Sequence, residues 1–255
     1  MSIGSRLYDL TQKSATARLA FHIGEAALFG TSIRQRVASF ILDQYHRSEF
    51  RRKWFWWCYG EPHFEDHTDT FWRAYRGDLD QGIYRFGPAF NAARFIRDGD
   101  VVLDIGCGDG GLTKRFFAPR AECVVAIDIE PTAIAAAKRR NASPKIKYLE
   151  CDAVNDALPK GPFNVIILDG TLGHISNSDT IILLSKIKDE LAPGGFFCGS
   201  ENVGRQDHDH LQIFNTDKDI ERLIIPFFSK VQIYTSNYRI SKDHIRSESV
   251  WSCTS

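Results

Sequence analysis

The sequence has no surplus of charge: 32 Lys and Arg balance 32 Asp and Glu among 255 residues, so the formal net charge is zero. A chain without a net field is not drawn as a whole onto nucleic acid, so general RNA or DNA binding is not expected. No apolar run reaches the roughly 18 residues of a membrane span, and Met1 to Leu10 lack the apolar core of a secretory signal. None of the six cysteines (Cys58, Cys107, Cys123, Cys151, Cys198, Cys253) falls in a Cys-x-x-Cys pair. Several sit in apolar, strand-like runs, where a thiol behaves as a small hydrophobe, and a reduced, cytoplasmic setting is the expectation. Internal repeats and low-complexity tracts are absent too. What remains, 43% hydrophobic and 25% charged, is an ordinary globular composition, able to bury one sizeable core plus an appendage.

Two compositional regimes follow each other. From Ser14 to about Phe50 apolar residues recur at helical spacing (Leu19, Ile23, Ala26, Ala27, then Ile33, Val37, Phe40, Ile41), with Gly30 between two expected helices. Arg51, Arg52 and Lys53 then run into Trp54, Phe55, Trp56 and Trp57, and Glu61, His63, Glu65, Asp66 and His67 come soon after. These readings make 1–86 a helical, aromatic-rich extension serving acceptor recognition or acting as a lid. After Gly87 and Pro88 the pattern alternates. Strands are expected at Val101–Ile105, Cys123–Ile129, Ile146–Leu149, Val165–Leu168 and Phe196–Gly199. Helices are expected over Leu112–Phe117, from Pro131 to Arg140, from a Ser178 cap to Leu191, and from the Thr216/Asp219 capping box toward Leu223. Two last strands, Val231–Tyr234 and Ser249–Cys253, would be joined by a polar connection. Such alternation predicts an α/β domain over 87–255, a three-layer, mostly parallel sheet with helices on both faces.

The densest chemical signal is Val101-Val-Leu-Asp-Ile-Gly-Cys-Gly-Asp-Gly110, an apolar strand ending in an acid and a glycine turn. Gly106, Gly108 and Gly110 let the backbone bend sharply and approach a ligand, and the helix behind offers free N–H groups. Gly106, Gly108 and Gly111 also satisfy the G-x-G-x-x-G spacing of NAD-binding folds, and Asp104 and Asp128 taken singly are as readily a cap and a solvated strand end. Asp128 ends the next strand, where a carboxylate can accept from vicinal ribose hydroxyls.

In the order of these residues the chain resembles the class I S-adenosylmethionine-dependent methyltransferase family. The resemblance implies a seven-stranded Rossmann-like fold from about Gly87 to Ser255 with S-adenosylmethionine as cofactor. It assigns the methionine end to Asp104, Gly106, Cys107 and Gly108, the ribose to Asp128 with Ile129, and the adenine amino group to Asp152 with Ala153. Asp169 stands beside the reactive methyl. Leu191-Ala-Pro-Gly-Gly195 resembles the turn before the family's fifth strand, and a closing strand pair distinguishes the pattern from NAD-binding domains.

On the acceptor side, methyl transfer is an in-line displacement that needs a nucleophile behind the methyl carbon and a group to take its proton. His174, on the loop after Asp169, is the first candidate base and Asp169 the second. Arg205-Gln-Asp-His-Asp-His210 follows the fifth strand. There His208 and His210 are read as catalytic or acceptor contacts and Arg205 as an acceptor contact, with a divalent-metal site or a solvated loop as the alternatives; no metal is expected. His63 and Tyr84 complete the expected acceptor contacts, and Arg85 is a candidate for the cofactor carboxylate. The tryptophan cluster is read first as buried against the catalytic domain, then as an acceptor platform, and last as a peripheral membrane contact. No Asn/Asp-Pro-Pro-Tyr/Phe motif follows the fourth strand, where Asp169-Gly-Thr-Leu172 stands, so methylation of nucleic-acid bases is disfavoured. The expected activity is O-methylation of a small hydroxylated acceptor, a sugar or secondary metabolite. An RNA or protein methyltransferase docked through Arg51–Lys53, an NAD(P)-dependent oxidoreductase and a non-catalytic binding module are the alternatives.

Overall fold

Val101–Ile105 forms the first strand, β1, and its composition explains both the strand and its central place. Five consecutive residues of extended backbone, apolar but for Asp104, suit a strand covered on both faces. A computed structural model describes residues 79–204, 210–241 and 244–255 together with Phe40; the side chains of residues 79–85, 240, 241 and 244 are outside that description. The helices expected before Phe50, the Trp54–Trp57 cluster and His63 lie outside the described residues.

Within them the chain runs through helix α1 (Leu79–Ala93), β1, a short π-helical segment (Thr113–Phe117), β2 (Cys123–Asp128), α2 (Pro131–Arg140) and β3 (Ile146–Glu150). It continues through β4 (Phe163–Asp169), a 3-10 turn (Leu172–His174), α3 (Asn177–Glu190), β5 (Leu191–Val203), α4 (Asp217–Ile224), β6 (Ser229–Ser241) and β7 (His244–Thr254). The strands form one sheet in the order β3-β2-β1-β4-β5-β7-β6. Strands β1 to β5 are mutually parallel, and β7 enters antiparallel between β5 and β6.

Alternate residues of each strand feed two apolar layers. Leu103, Ile105, Ile127, Ile166, Leu168, Phe197 and Trp251 pack with Leu183, Leu184 and Ile187 of α3 on one face. Val102, Val124, Ala126, Val165, Ile167 and Cys198 pack with Ile96, Phe117, Ile134 and Ala137 on the other. Each large side chain so buried contributes roughly 1.5–3 kcal/mol, which is why one sheet can carry the whole domain. Among the described residues the cysteines are free, with Cys107, Cys198 and Cys253 buried in these layers.

The structure differs from the sequence-based expectation in five places, four of them ahead of the last hairpin. Gly87 and Pro88 lie inside α1 rather than ahead of the first element, so the helix spans position 87. Residues 113–117 take π-helical form where a plain helix was expected. Ser176, not Ser178, caps α3: its hydroxyl accepts the Asp179 N–H at 3.2 Å and donates to the Asp179 carboxylate at 2.7 Å, while Ser178 sits in the first turn. Helix α3 ends at Glu190 and Leu191 already pairs with Phe163; the next pair is Val165 with Phe196, so Ala192–Gly195 bulge from β5 instead of preceding it.

The last hairpin is also longer than expected. The polar stretch between Tyr234 and Ser249 is strand on both sides, paired as far as Ser241 and His244. Beyond Val203 with Ser247, β7 has no β5 neighbour, so its polar side chains need no apolar layer to pack against. The Thr216/Asp219 capping box forms as expected.

Candidate functional site

The glycine turn leaves β1 in left-handed backbone, with φ of 76° at Gly106, 53° at Gly108 and 72° at Gly110. Gly106 must be glycine for a second reason: a Cβ there would run into the Thr171 side chain. The turn is tied down from three directions. The Gly106 and Cys107 N–H groups donate to the Ile127 carbonyl at 2.8 and 3.0 Å. The Gly108 N–H donates to Asp128 Oδ2 at 2.8 Å, and the other oxygen of that carboxylate accepts the Glu130 N–H at 2.9 Å. From α2, the Asn141 side-chain amide donates to the Asp109 carbonyl at 2.7 Å.

Asp104 is buried and accepts the Thr113 hydroxyl at 2.5 Å, which joins the strand end to the π-helical segment. Cys107 lies buried beside it. Burial raises its thiol far above the ordinary range, and the carboxylates of Asp104 and Asp128 push the same way. Ile129 is 64% exposed just past Asp128 and offers an apolar surface at the strand end.

After β3, Asp152 closes a turn whose carboxylate accepts the Val154 N–H, the Asn155 N–H and the Asn155 side-chain amide at 2.9, 3.0 and 2.8 Å. Those bonds, the Asn155 side chain first, hold the carboxyl below the usual range. Ala153 is fixed in the same turn, its carbonyl accepting Lys186 of α3 at 3.3 Å. A carboxylate offers about four lone-pair sites, so Asp128 and Asp152 each retain acceptor capacity beside these bonds. The turn, a spare carboxylate at each of two strand tips and the bare Gly106 backbone fit an adenosyl cofactor.

Asp169 ends β4. Its carboxylate accepts the Ser200 hydroxyl, and Ser200 Oγ lies 3.0 Å from Glu248 Oε1 on β7. Arg246 Nε stands 3.4 Å from the other Glu248 oxygen. Burial pushes the Glu248 carboxyl up to about 7, with Asp169 and Glu201 adding to the rise and Arg246 opposing it. On the opposite face of β5, Glu201 is only 2% exposed and accepts the Gly173 and Asn202 N–H groups at 2.8 and 2.9 Å. Burial raises its carboxyl as well, against the pull of those two N–H groups and then of His174.

The 3-10 turn carries His174 to the carboxyl ends of the strands, where its ring meets that of His210 edge-on at 4.7 Å. The two are held together by backbone: the Leu211 N–H donates to the Gly173 carbonyl at 2.7 Å, and the Gln212 side chain bridges the Leu172 carbonyl and the Thr180 hydroxyl, each at 2.8 Å. The structure therefore joins two of the expected acceptor-side histidines. Arg205 and His208 lie outside the described residues, as does the side chain of Tyr84.

Sequence reasoning missed Ser200, Glu201, Arg246 and Glu248. The signal was present for Ser200 and Glu201 as polar residues continuing the apolar run Phe196–Cys198, since charge buried in a sheet centre needs partners; Arg246 and Glu248 stand in a polar stretch that gives none.

A parallel sheet closed by an antiparallel strand, with a glycine turn and acids at successive strand tips, defines a nucleotide-cradling α/β domain of the methyltransferase kind. Residues 102–195 match a family described as a methyltransferase domain. Over 94 residues the chain is 37% identical to the uncharacterized methyltransferase Mb0092 of Mycobacterium bovis, covering 37% of this chain and 46% of that protein, so it spans about half the length of the curated relative. The N-methyltransferase NodS of Bradyrhizobium japonicum WM9 superposes with a TM-score of 0.55 at 18% identity, over 68% of this chain and 97% of NodS. Phosphoethanolamine N-methyltransferase 2 of Haemonchus contortus, in complex with S-adenosyl-L-methionine, gives 0.53 at 16% identity over 70% of this chain and 52% of its own. Residues 102–195 thus match the methyltransferase domain family, and the described sheet has the class I S-adenosylmethionine-dependent methyltransferase fold.

Proposed function

We propose that the chain is an S-adenosylmethionine-dependent methyltransferase whose acceptor lies over the carboxyl ends of β4 and β5 and is methylated on oxygen. The observation that carries this reading is the turn at Gly106–Gly110, pinned by the Asp128 carboxylate and adjoined by Asp104 and Asp152 at neighbouring strand tips. Asp104 with Gly106, Cys107 and Gly108 would take the methionine end, Asp128 and Ile129 the ribose, and Asp152 with Ala153 the adenine. When bound, the cofactor supplies an electrophilic methyl group. The chain's own residues hold the acceptor in line, exclude water and accept its proton. His174, exposed and braced by His210, suits the base, with Asp169 as the acceptor's hydrogen-bond partner. His208, Arg205, Tyr84 and His63 are proposed as further acceptor contacts, and 1–86 as the segment that helps select the acceptor. A small hydroxylated molecule, a sugar or secondary metabolite, fits a site whose described residues supply bases and no surplus of cations. In the described residues no helix is long and apolar enough to cross a membrane.

A second reading has an observation of its own. Glu248 pairs with Arg246 at 3.4 Å and shares the Ser200 hydroxyl with Asp169, an acid-rich arrangement that suits a cationic amine as well as a hydroxyl. Titrating the purified chain with S-adenosylhomocysteine and with NAD tests the cofactor. Incubation with methyl-deuterated S-adenosylmethionine and separate pools of hydroxylated metabolites, amines and peptides, followed by mass spectrometry, tests the acceptor. Binding of NAD alone would overturn the proposal, and deuterium appearing only on nitrogen would replace the hydroxyl reading with the amine.

A further inference from the structure

The hydroxyl of Ser200 stands between two carboxylates, from Asp169 on β4 and Glu248 on β7, in a place that is 1% exposed at the serine and 3% at the glutamate. A hydroxyl has one hydrogen to give and two lone pairs to accept with. With both carboxylates ionised, that hydrogen could serve one of them, and the other would press a charged oxygen against the serine lone pairs without water to relieve it. One extra proton resolves the conflict and completes both bonds.

We propose that Ser200 and Glu248 are positioning residues for Asp169: neutral Glu248 donates to the Ser200 oxygen, which commits the serine hydrogen to Asp169 and keeps that carboxylate ionised and aimed. The role of this relay rests on the reading above, in which Asp169 faces the transferred methyl and its acceptor. Glu248 is the member that holds the proton because it lies deeper in the sheet than Asp169, which is only half-buried at its strand tip. The described charged groups that act on Glu248 are Arg246 on its own strand, Asp169 on β4 and, from the other face of β5, Glu201. Ser236 is its neutral register partner on β6. Helix α1 also lies against β5, β6 and β7, and the side chains of its Asp80 and Arg85 are outside the described ones. Of the two carboxylates on Glu248's flanks, Asp169 alone shares a hydroxyl with it; Glu201 is spoken for by backbone N–H groups on the far face. An ionised, immobile Asp169 gives an approaching hydroxyl or amine a fixed hydrogen-bond acceptor, which a doubly ionised or doubly protonated pair would not.

The test uses the full chain labelled with 13C at the glutamate or the aspartate side-chain carboxyls, free of cofactor, followed by NMR from pH 4 to 9. A glutamate carboxyl titrating near neutrality in wild type, shifted downward in D169N and missing from E248Q, is the expected result. A near-neutral aspartate carboxyl that disappears in D169N, or no carboxyl titrating above the acid range, overturns the assignment. S200A should raise the Asp169 midpoint, since the donor to its ionised form is gone; an unmoved Asp169 midpoint overturns the part given to the serine.

Calorimetry then links the relay to the cofactor site. S-adenosylmethionine carries a sulfonium charge that S-adenosylhomocysteine lacks, so the ratio of their affinities reports charge near the sulfur. Ionising Glu248 between pH 6 and 8 should shift this ratio toward the sulfonium by about three- to tenfold in wild type and leave it flat in E248Q. A flat wild-type ratio with both ligands bound would show that the relay does not face the sulfur. If neither ligand binds, the functional reading and the relay's role fall together, while the NMR titration still decides where the proton sits.

Discussion

Replacing Asp128 with alanine removes one carboxylate that does two jobs, and their sizes can be separated. Toward the protein it accepts the Gly108 and Glu130 N–H groups at 2.8 and 2.9 Å. Each such bond to a charged acceptor is worth about 1.5–3 kcal/mol, part of which is recovered when water solvates the freed amides. Toward the cofactor the same carboxylate is proposed to accept two ribose hydroxyls. Losing those bonds and the order of the turn should weaken S-adenosylhomocysteine binding by about 2–4 kcal/mol, roughly 30- to 1000-fold. Asp128→Asn separates the jobs, because an amide keeps one acceptor oxygen but turns a donor toward either the Gly108 or the Glu130 N–H. The turn should therefore loosen in both variants. The assay is calorimetric titration, paired with hydrogen exchange at the Gly108 and Glu130 amides. If Asp128→Ala binds within twofold of wild type while those two amides exchange faster, the carboxylate braces the turn and touches no ribose. If exchange is also unchanged, the hydrogen bonds described for the turn are themselves refuted.

Three further outcomes follow from the same geometry. Gly106→Ala should cost about 1–3 kcal/mol of stability and abolish measurable cofactor binding, since its φ of 76° strains any side chain and the new Cβ meets Thr171; an alanine variant that binds normally would refute the close approach. His174→Ala should lower turnover about 10²- to 10⁴-fold with S-adenosylhomocysteine affinity intact, measured by methyl-deuterium transfer and calorimetry; full activity removes it as the base. Glu248 has a folded pKa raised to about 7 from an ordinary 4.5, so the folded state holds its proton more tightly than the unfolded chain. That contribution is whole below about pH 4.5 and is lost as pH rises through about 7, amounting to at most about 3 kcal/mol. Urea unfolding at pH 5 and pH 8 should show a smaller pH-dependent loss in E248Q than in wild type, and identical slopes would contradict the burial argument.

The parallel half of the sheet was legible because its rules are local. An apolar run, an acid at its end and a glycine behind it mark β1 and β4 without reference to anything distant, and Pro131 and the Thr216/Asp219 pair announce their helices. What escaped depends on partners far along the chain. Residues 235–241 and 244–248 read as a connection because their alternation is polar, and only pairing of β6 with β7 makes strands of them. Ser200 and Glu248 are 48 positions apart, the first just past an apolar run and the second inside a polar one; side-by-side strands make them one network. Ser178 and Ser176, two residues apart, carry the same cap signal, and which of them caps is decided by the hydroxyl that reaches the Asp179 N–H.

The order of strands also governs how the domain can be made. Because β7 separates β5 from β6, ribosomal synthesis delivers β6 before the strand it must pair with exists. Until 244–254 have emerged, one flank of β5 offers a row of open peptide groups, including the stretch with Ser200 and Glu201. The nascent chain therefore passes through a stage in which its acidic centre is solvated and its sheet half-finished, and folding rates should be set by the arrival and docking of that hairpin.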